Sequence, residues 1–248
     1  AVKNNEGEWV LLNGNQTALM FVYYLITRWK ELGKINGKEY IVKTIVTTET
    51  IKTIAERNGV EMYDVYTGFK WIANVMRENE GKKNYIGGGE ESYGFLCEDF
   101  VRDKDAVSAC VILAEIAAWA KDQGLSLYQL LQKIYVEYGF SKEKGISVVK
   151  KGKSGAEEIE AMMKKFRENP LTEIAGSKVT YFYDYSTLKG KDYAENETVT
   201  LDMPTTSNVL QYFTEDNTKV SIRPSGTEPK IKYYAGIKGV DEKDADEK

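Results

Sequence analysis

Between residues 15 and 138 helix-forming stretches alternate with short β-branched runs, and this alternation limits the fold more than any other feature of the chain. Asn15 can cap a helix running to about Leu32, where Gly33 ends it. Residues 40–46 are apolar and β-branched and predict a buried strand. Thr48 or Thr50 can cap a short helix to Arg57, stopped by Gly59. Residues 60–66 predict a strand, and Thr67-Gly68 opens a helix over 69–78. Tyr85-Ile86 is a brief strand running into Gly87-Gly88-Gly89. Asp103 or Asp105 starts a long helix to about Lys121, and Ser126 another to about Glu137. Strands alternating with helices predict an α/β fold, a three-layer domain on a mixed, largely parallel sheet.

The pattern changes after Gly139. Residues 146–149 predict a strand and residues 156–168 an amphipathic helix closed by Asn169-Pro170. Strands follow at 178–185, 198–201, 209–213, 219–223 and 231–235. Runs of strands beside one helix predict a smaller α+β domain, one sheet with helices on one face. The expected division is 1–140 and 141–248, with a linker and hinge near residues 141–145. At the start, residues 1–11 predict a strand, a tight turn and a second strand. The first residue is not methionine, and the acidic tail from Asp241 starts like a helix and stops. Both ends therefore read as cut from a longer protein.

Composition narrows the chemistry. There is no histidine among the 248 residues, which excludes a Ser-His-Asp triad, a Cys-His pair and any histidine metal site within the chain. Acid–base work falls to carboxylates, lysine or tyrosine. The net charge is −4, so no general attraction to nucleic acid or to an anionic membrane is expected. The longest apolar run, residues 18–26, is far short of the roughly 20 residues a membrane span needs. A second apolar stretch, 106–120, likewise reads as a buried helix. Two cysteines, Cys97 and Cys110, form no disulfide framework; they predict a cytoplasmic setting and a pair of buried thiols.

Three segments can carry chemistry. Glu90-Glu91-Ser92-Tyr93-Gly94 follows the glycine run, but two carboxylates repel phosphate, which argues against a phosphate loop. Glu90 can accept hydrogen bonds from vicinal sugar hydroxyls, and Ser92 can donate or accept. If the loop is extended, both side chains face one ligand; a solvated turn is the alternative. Arg223-Pro224-Ser225-Gly226-Thr227-Glu228-Pro229 lies between two apolar strands. There Arg223 can grip a phosphate, Ser225 and Thr227 offer hydroxyls, and Gly226 lets the backbone come close. Lys232 on the next strand adds a second cation. A plain hairpin loop with an exposed arginine is the alternative. Thirdly, the helix opened by Thr67-Gly68 could meet an anion, and Lys104 stands at a helix start where the dipole disfavours a cation. An ordinary solvated lysine is the alternative there. Asp99, Asp103 and Asp105 read as helix-entry acids and not as a metal site.

Taken together these loops resemble the α-D-phosphohexomutase family, the phosphoglucomutases and phosphomannomutases. Residues 89–94 are similar to its sugar-recognition loop of the form G-E-x-S, and residues 223–229 to its phosphate-binding loop. Val46-Thr47-Thr48, Thr67-Gly68-Phe69-Lys70 and Arg102-Asp103-Lys104-Asp105 resemble family segments in the same order. The resemblance implies that Glu90, Ser92, Thr67, Gly68 and Lys104 bind the sugar, and that Arg223, Ser225, Gly226, Thr227 and Lys232 hold a phosphate. It implies a four-domain parent in which this chain supplies the third and fourth domains. The parent would interconvert hexose 1-phosphate and hexose 6-phosphate through a phosphoserine and a hexose 1,6-bisphosphate, using Mg2+. Its serine and its aspartate-rich magnesium loop have no counterpart here, so the fragment alone is expected to be inactive, with the missing N-terminal domains as its partner. Tyr93-Gly94, where some members carry histidine, resembles the branch that favours glucose. Phosphomannomutase or phosphoglucosamine mutase specificity, a stand-alone phosphosugar-binding module and a structural module without a ligand are the alternatives.

Overall fold

The structure is a computed structural model and describes residues 1–150, 152–226 and 228–248. It divides into two units, Ala1–Gly139 and Phe140–Lys248. The first opens with the predicted hairpin, β1 (Val2–Lys3) against β2 (Trp9–Val10). α1 (Gly14–Glu31) follows, capped two residues earlier than expected: Asn13, not Asn15, accepts the Gln16 N–H at 2.9 Å, and the Gln16 side chain accepts the Asn13 N–H in return. The remaining elements of this unit are β3 (Glu39–Thr44), α2 (Thr50–Arg57), β4 (Glu61–Val65), α3 (Phe69–Asn79), β5 (Asn84–Gly89), β6 (Phe95–Cys97), α4 (Ala106–Asp122) and α5 (Leu127–Tyr138). Glu49, which precedes α2 in helical conformation, offers no side-chain cap, but the Thr48 hydroxyl accepts the N–H of Thr50, the first residue of the helix, at 3.3 Å, so of the two expected threonines Thr48 serves the helix start. Asp105 and Ser126 do cap α4 and α5.

The strands lie in the order β4-β3-β5-β6. β3 is parallel to both β4 and β5, while β6 returns antiparallel to β5, so the sheet is mixed. All six residues of β3 are buried, as a covered central strand requires. Tyr40 and Val42 on one face pack with Phe69, Ile72 and Met76 of α3. On the other side α1 buries residues 18–26, and its Leu25 reaches Gly87 of β5. Helices on both faces of one sheet make the three expected layers. The parallel strands β3, β4 and β5 end at one edge, the carboxyl edge where open α/β sheets bind ligands.

Those glycines are strand, not loop. A Cβ at Gly88 would stand 2.3 Å from the Val42 carbonyl oxygen, and one at Gly89 would stand 2.5 Å from the Gly94 carbonyl oxygen. Close packing against β3 and β6 therefore demands them, with no phosphate involved.

The second unit contains β7 (Phe140–Val149), α6 (Gly152–Glu168), β8 (Glu173–Ile174), β9 (Ser177–Asp184), β10 (Lys189–Asp192), β11 (Glu197–Thr200), β12 (Leu210–Thr214), β13 (Lys219–Pro224), β14 (Lys230–Gly239) and α7 (Glu242–Glu247). All strand pairs are antiparallel, in the order β11-β10-β9-β12-β13-β14-β7, with β8 on β9. Ile159 and Met163 of α6 pack on Val179, Leu210, Tyr212, Ile222 and Ile231 of the sheet. Residues 141–145, expected as a linker, belong to β7 and pair with β14 along its whole length. Lys142, Glu143 and Lys144 suit an edge strand, where charge blocks further pairing.

Two burial expectations are overturned in the first unit. α4, predicted to be buried, buries only Ile116 and Ala120. Cys97 is buried and its thiol is pushed up to about 12 by that burial, whereas Cys110 on α4 is exposed.

Candidate functional site

The loop after β5 is a closed turn, not the extended segment expected. The Glu90 N–H donates to the Gly94 carbonyl at 2.8 Å, and Tyr93 takes a left-handed φ of 70°. Glu90 and Ser92 therefore do not project side by side in the manner of a strand. The Glu90 carboxylate instead reaches the turn before α3 and accepts the Gly68 N–H at 2.6 Å. Gly68 has φ 114° and caps α3 without a side chain, so a carboxylate from a neighbouring loop supplies what the helix start lacks. Lys104 comes from a third loop. Its Cδ and the Glu90 carboxylate both flank Gly94, at 3.1 and 3.2 Å from where a Cβ would be. Its ammonium stands 5.8 Å from the Phe69 ring and 3.1 Å from Asp103, whose carboxyl it holds below the usual value by hydrogen bonding.

Gly68, Glu90 and Lys104 thus converge, with Thr67 adjoining Gly68 in the chain. Ser92 lines a hollow of ≈ 350 Å³ with Tyr93, Gly94, Lys104 and Asp105. A larger cleft of ≈ 600 Å³ adjoins it, lined by Phe69, Lys70, Arg77, Arg102 and Lys104 among others. Arg77, on the outer turn of α3, was not singled out in the sequence. Its spacing of seven residues from Lys70 was the available signal.

The loop rests on the core. The Thr44 hydroxyl donates to Glu91 at 3.3 Å and exchanges a 2.8 Å hydrogen bond with Thr47. Asn15, expected as a cap, instead accepts the Thr48 N–H at 2.9 Å. The Tyr93 hydroxyl donates to the Leu12 carbonyl at 3.0 Å. Gly14 is the residue the sequence reading missed: a Cβ there would lie 1.9 Å from the Glu91 carbonyl oxygen. An asparagine on each side disguised it as cap material.

In the second unit the 223–229 segment joins β13 to β14. The Ser225 N–H donates to the Lys230 carbonyl at 2.8 Å, closing the loop. Arg223 and Lys232 are direct cross-strand partners, so their side chains share a face. Two cations opposed in this way disfavour one another unless an anion lies near. The Arg223 guanidinium donates to the Tyr234 hydroxyl at 3.3 Å. Glu228 is ion-paired with Lys230, which holds its carboxyl below the ordinary value. A Cβ on Gly226 would meet open space, so the protein's own packing does not require this glycine. Thr227 lies outside the described residues. Among the described residues no three carboxylate or cysteine groups converge as a metal centre.

Comparison with known proteins agrees with this architecture. The chain shares its fold with the exocytosis-sensitive phosphoprotein parafusin, a phosphoglucomutase from Paramecium (TM-score 0.62, 16% identity, 95% of this chain and 38% of that one). A phosphoglucomutase/phosphomannomutase family protein from Burkholderia thailandensis gives a TM-score of 0.57 at 13% identity, over 96% of this chain and 40% of that one. The fold class is therefore that of the phosphohexomutases.

The profile of the phosphoglucomutase/phosphomannomutase alpha/beta/alpha domain III matches residues 13–138. The chain belongs to the phosphoglucomutase/phosphomannomutase family. The phosphoglucomutase of Staphylococcus aureus strain MRSA252 is 36% identical over 248 residues, covering 100% of this chain and 44% of the relative. That of Staphylococcus haemolyticus strain JCSC1435 is 32% identical over 235 residues, covering 95% and 42%. The chain thus spans less than half the length of the relatives it matches.

Proposed function

We propose that this chain is the substrate-recognition half of a phosphohexomutase that interconverts hexose 1-phosphate and hexose 6-phosphate, with glucose as the sugar. The observation that carries the reading is the Glu90–Gly68 hydrogen bond, which draws the sugar loop, the start of α3 and Lys104 into one cluster. Glu90, Ser92, Thr67, Gly68 and Lys104 bind and orient the sugar hydroxyls. Arg223, Ser225, Gly226 and Lys232, together with Thr227, hold the phosphate that is not reacting. In domain terms residues 1–140 are the family's third domain and residues 141–248 its fourth. Both work by positioning: fixing the substrate converts an encounter into an oriented reaction. The choice of glucose follows the names of the relatives at 36% and 32% identity.

The serine that carries the phosphoryl group lies, on this reading, in polypeptide outside these 248 residues. So do the carboxylates that hold magnesium, which when bound would offset charge on the transferred phosphoryl group. The whole protein is then a phosphoprotein, and we assign it to the cytoplasm on its two unpaired thiols.

Calorimetric titration with glucose 1,6-bisphosphate tests the reading. Arg223→Ala and Ser92→Ala, one in each unit, should each weaken binding, Arg223→Ala by about tenfold to a hundredfold for loss of a charged hydrogen-bonding partner. Equal affinity for all three proteins sinks the assignment of these loops. Mannose 1,6-bisphosphate binding more tightly than the glucose compound sinks the choice of sugar.

A further inference from the structure

α4 is the most apolar helix of the first unit and among its least covered. Val107 is 74% exposed and Val111 61%. Cys110, Ala114 and Ala118 are exposed as well. Positions 107, 111, 114 and 118 are spaced by three or four residues, so they lie on one side of the helix. No charged residue interrupts residues 106–114. Glu115, the first to appear, is engaged by the Tyr24 hydroxyl. A solvated helix carries charge on its outer side, and the first half of this one, residues 106–114, carries none; the exposed charges Glu115 and Lys121 come only in its second half.

We propose that this face of α4 is the docking surface for the part of the full-length protein that precedes these residues. The inference rests on the proposed function, in which that part carries the serine and the magnesium ligands. Length argues for such an occupant: the chain accounts for 44% of the S. aureus relative, so more than half of that protein has no counterpart here. Area argues against a second copy. The stripe from Val107 to Ala118 is roughly 17 Å long and about 10 Å wide, on the order of 170 Å². A stable dimer of free chains buries about 800 Å² on each partner. A patch this small holds a partner that is already tethered, because the chain connection supplies an effective concentration in the ~mM range. The same apolar side chains that look misplaced in the 248 residues then form one face of a buried interdomain contact.

Cys110 sits in the stripe and reports on it, while Cys97 is buried with its thiol pushed up to about 12. The test follows alkylation of Cys110 by peptide mass spectrometry, in the 248-residue chain and in the full-length gene product. Cys110 should react freely in the former and at least about tenfold more slowly in the latter. Equal rates overturn the proposal. So does slow reaction already in the 248-residue chain. So does protection that grows with the concentration of that chain and accompanies a dimer in sedimentation, since the occupant is then a second copy. Val111→Asp supplies an independent reading. It should leave the melting temperature of the 248-residue chain unchanged and lower that of the full-length product; no change in either overturns the proposal. Mutase activity measured on the same full-length preparation separates the two readings. An active product with freely reactive Cys110 sinks the docking surface alone, and an inactive one with protected Cys110 sinks the proposed function alone.

Discussion

Lys43 is the charge whose environment makes the sharpest demand on the fold. It stands on β3 with its side chain 1% exposed, 2.6 Å from Asp64 and 3.0 Å from Glu49. The two carboxylates are 35% and 27% exposed. Burial pushes the ammonium's pKa down, but Asp64 and Glu49 outweigh it and hold the group above the ordinary lysine value. The three members are therefore unequal. Strip the carboxylates, and a fully buried ammonium is left without partners. Remove the lysine, and two carboxylates remain that water can reach. At an effective dielectric of about 20, attraction at these distances is about 6 kcal/mol per pair before desolvation is subtracted. Breaking a buried pair from the side that leaves its charge stranded costs about 3–5 kcal/mol net. The double variant Asp64→Asn with Glu49→Gln should lose about that much. Asp64→Asn alone should lose roughly 2 kcal/mol, since Glu49 still pairs. Lys43→Met, which removes the buried charge and keeps its bulk, should lose only about 1 kcal/mol. Urea unfolding followed by tryptophan fluorescence measures this, because all four tryptophans lie in the first unit. A folded pKa raised above the unfolded value stabilises fully below about 10.4. That contribution is lost as pH rises through the folded pKa. A Lys43→Met variant as unstable as the double carboxylate variant would refute the reasoning.

Gly14→Ala should destabilise the first unit by about 1–3 kcal/mol and displace the sugar loop, because the new methyl overlaps the Glu91 carbonyl; an unchanged urea midpoint would contradict the contact. Gly226→Ala should leave stability within about 0.5 kcal/mol, since its Cβ enters open space, yet weaken phosphosugar binding; unaltered affinity in calorimetry would remove Gly226 from the phosphate site. Glu39 is 1% exposed and accepts backbone N–H groups from Asn36, Gly37 and Lys38 and an amide bond from Asn84. Burial raises its carboxyl, but these bonds prevail and hold it below the ordinary value. Its contribution is thus present above the unfolded pKa and lost as pH falls through the folded one. Glu39→Gln should cost about 1.5–3 kcal/mol at neutral pH, with the gap to the parent closing in acid; a gap that widens in acid would show the sign to be wrong.

The alternation of elements was legible because β3, β4 and β5 are short runs set off by glycines, whereas the three-residue β6 (Phe95–Cys97) was not foreseen. Asp105 and Ser126, as capping residues, marked two helix starts. The chemistry-bearing loops were legible as residues but not as shapes. Nothing in Glu90-Glu91-Ser92-Tyr93-Gly94 announces that Tyr93 turns left-handed and closes the loop, or that Glu90 looks to Gly68. The Glu90–Gly68 pairing joins segments more than twenty residues apart, where local spacing is silent. β10 was missed because Lys-Gly-Lys-Asp has no strand preference and is held by partners on both sides. β7 hid its first half behind edge charges. α4 misled in the opposite sense: apolar composition speaks of burial, but not of which polypeptide does the burying.

The bare end of β5 ties recognition to cooperativity. Three successive glycines have little intrinsic reason to be extended, and each carries an entropic penalty of about 0.5–1 kcal/mol relative to alanine in a strand. They hold their shape only while Leu25, Val42 and Phe95 press on them. The sugar loop that springs from Gly89 is consequently not a separate lid with its own opening equilibrium. It forms and melts as part of the same foldon as α1 and β3, so amide exchange at residues 87–94 should track global unfolding of the first unit. On the proposed function, readiness to bind sugar then becomes a property of the whole unit, switched on when its core assembles and not adjusted piecemeal at the mouth of the site.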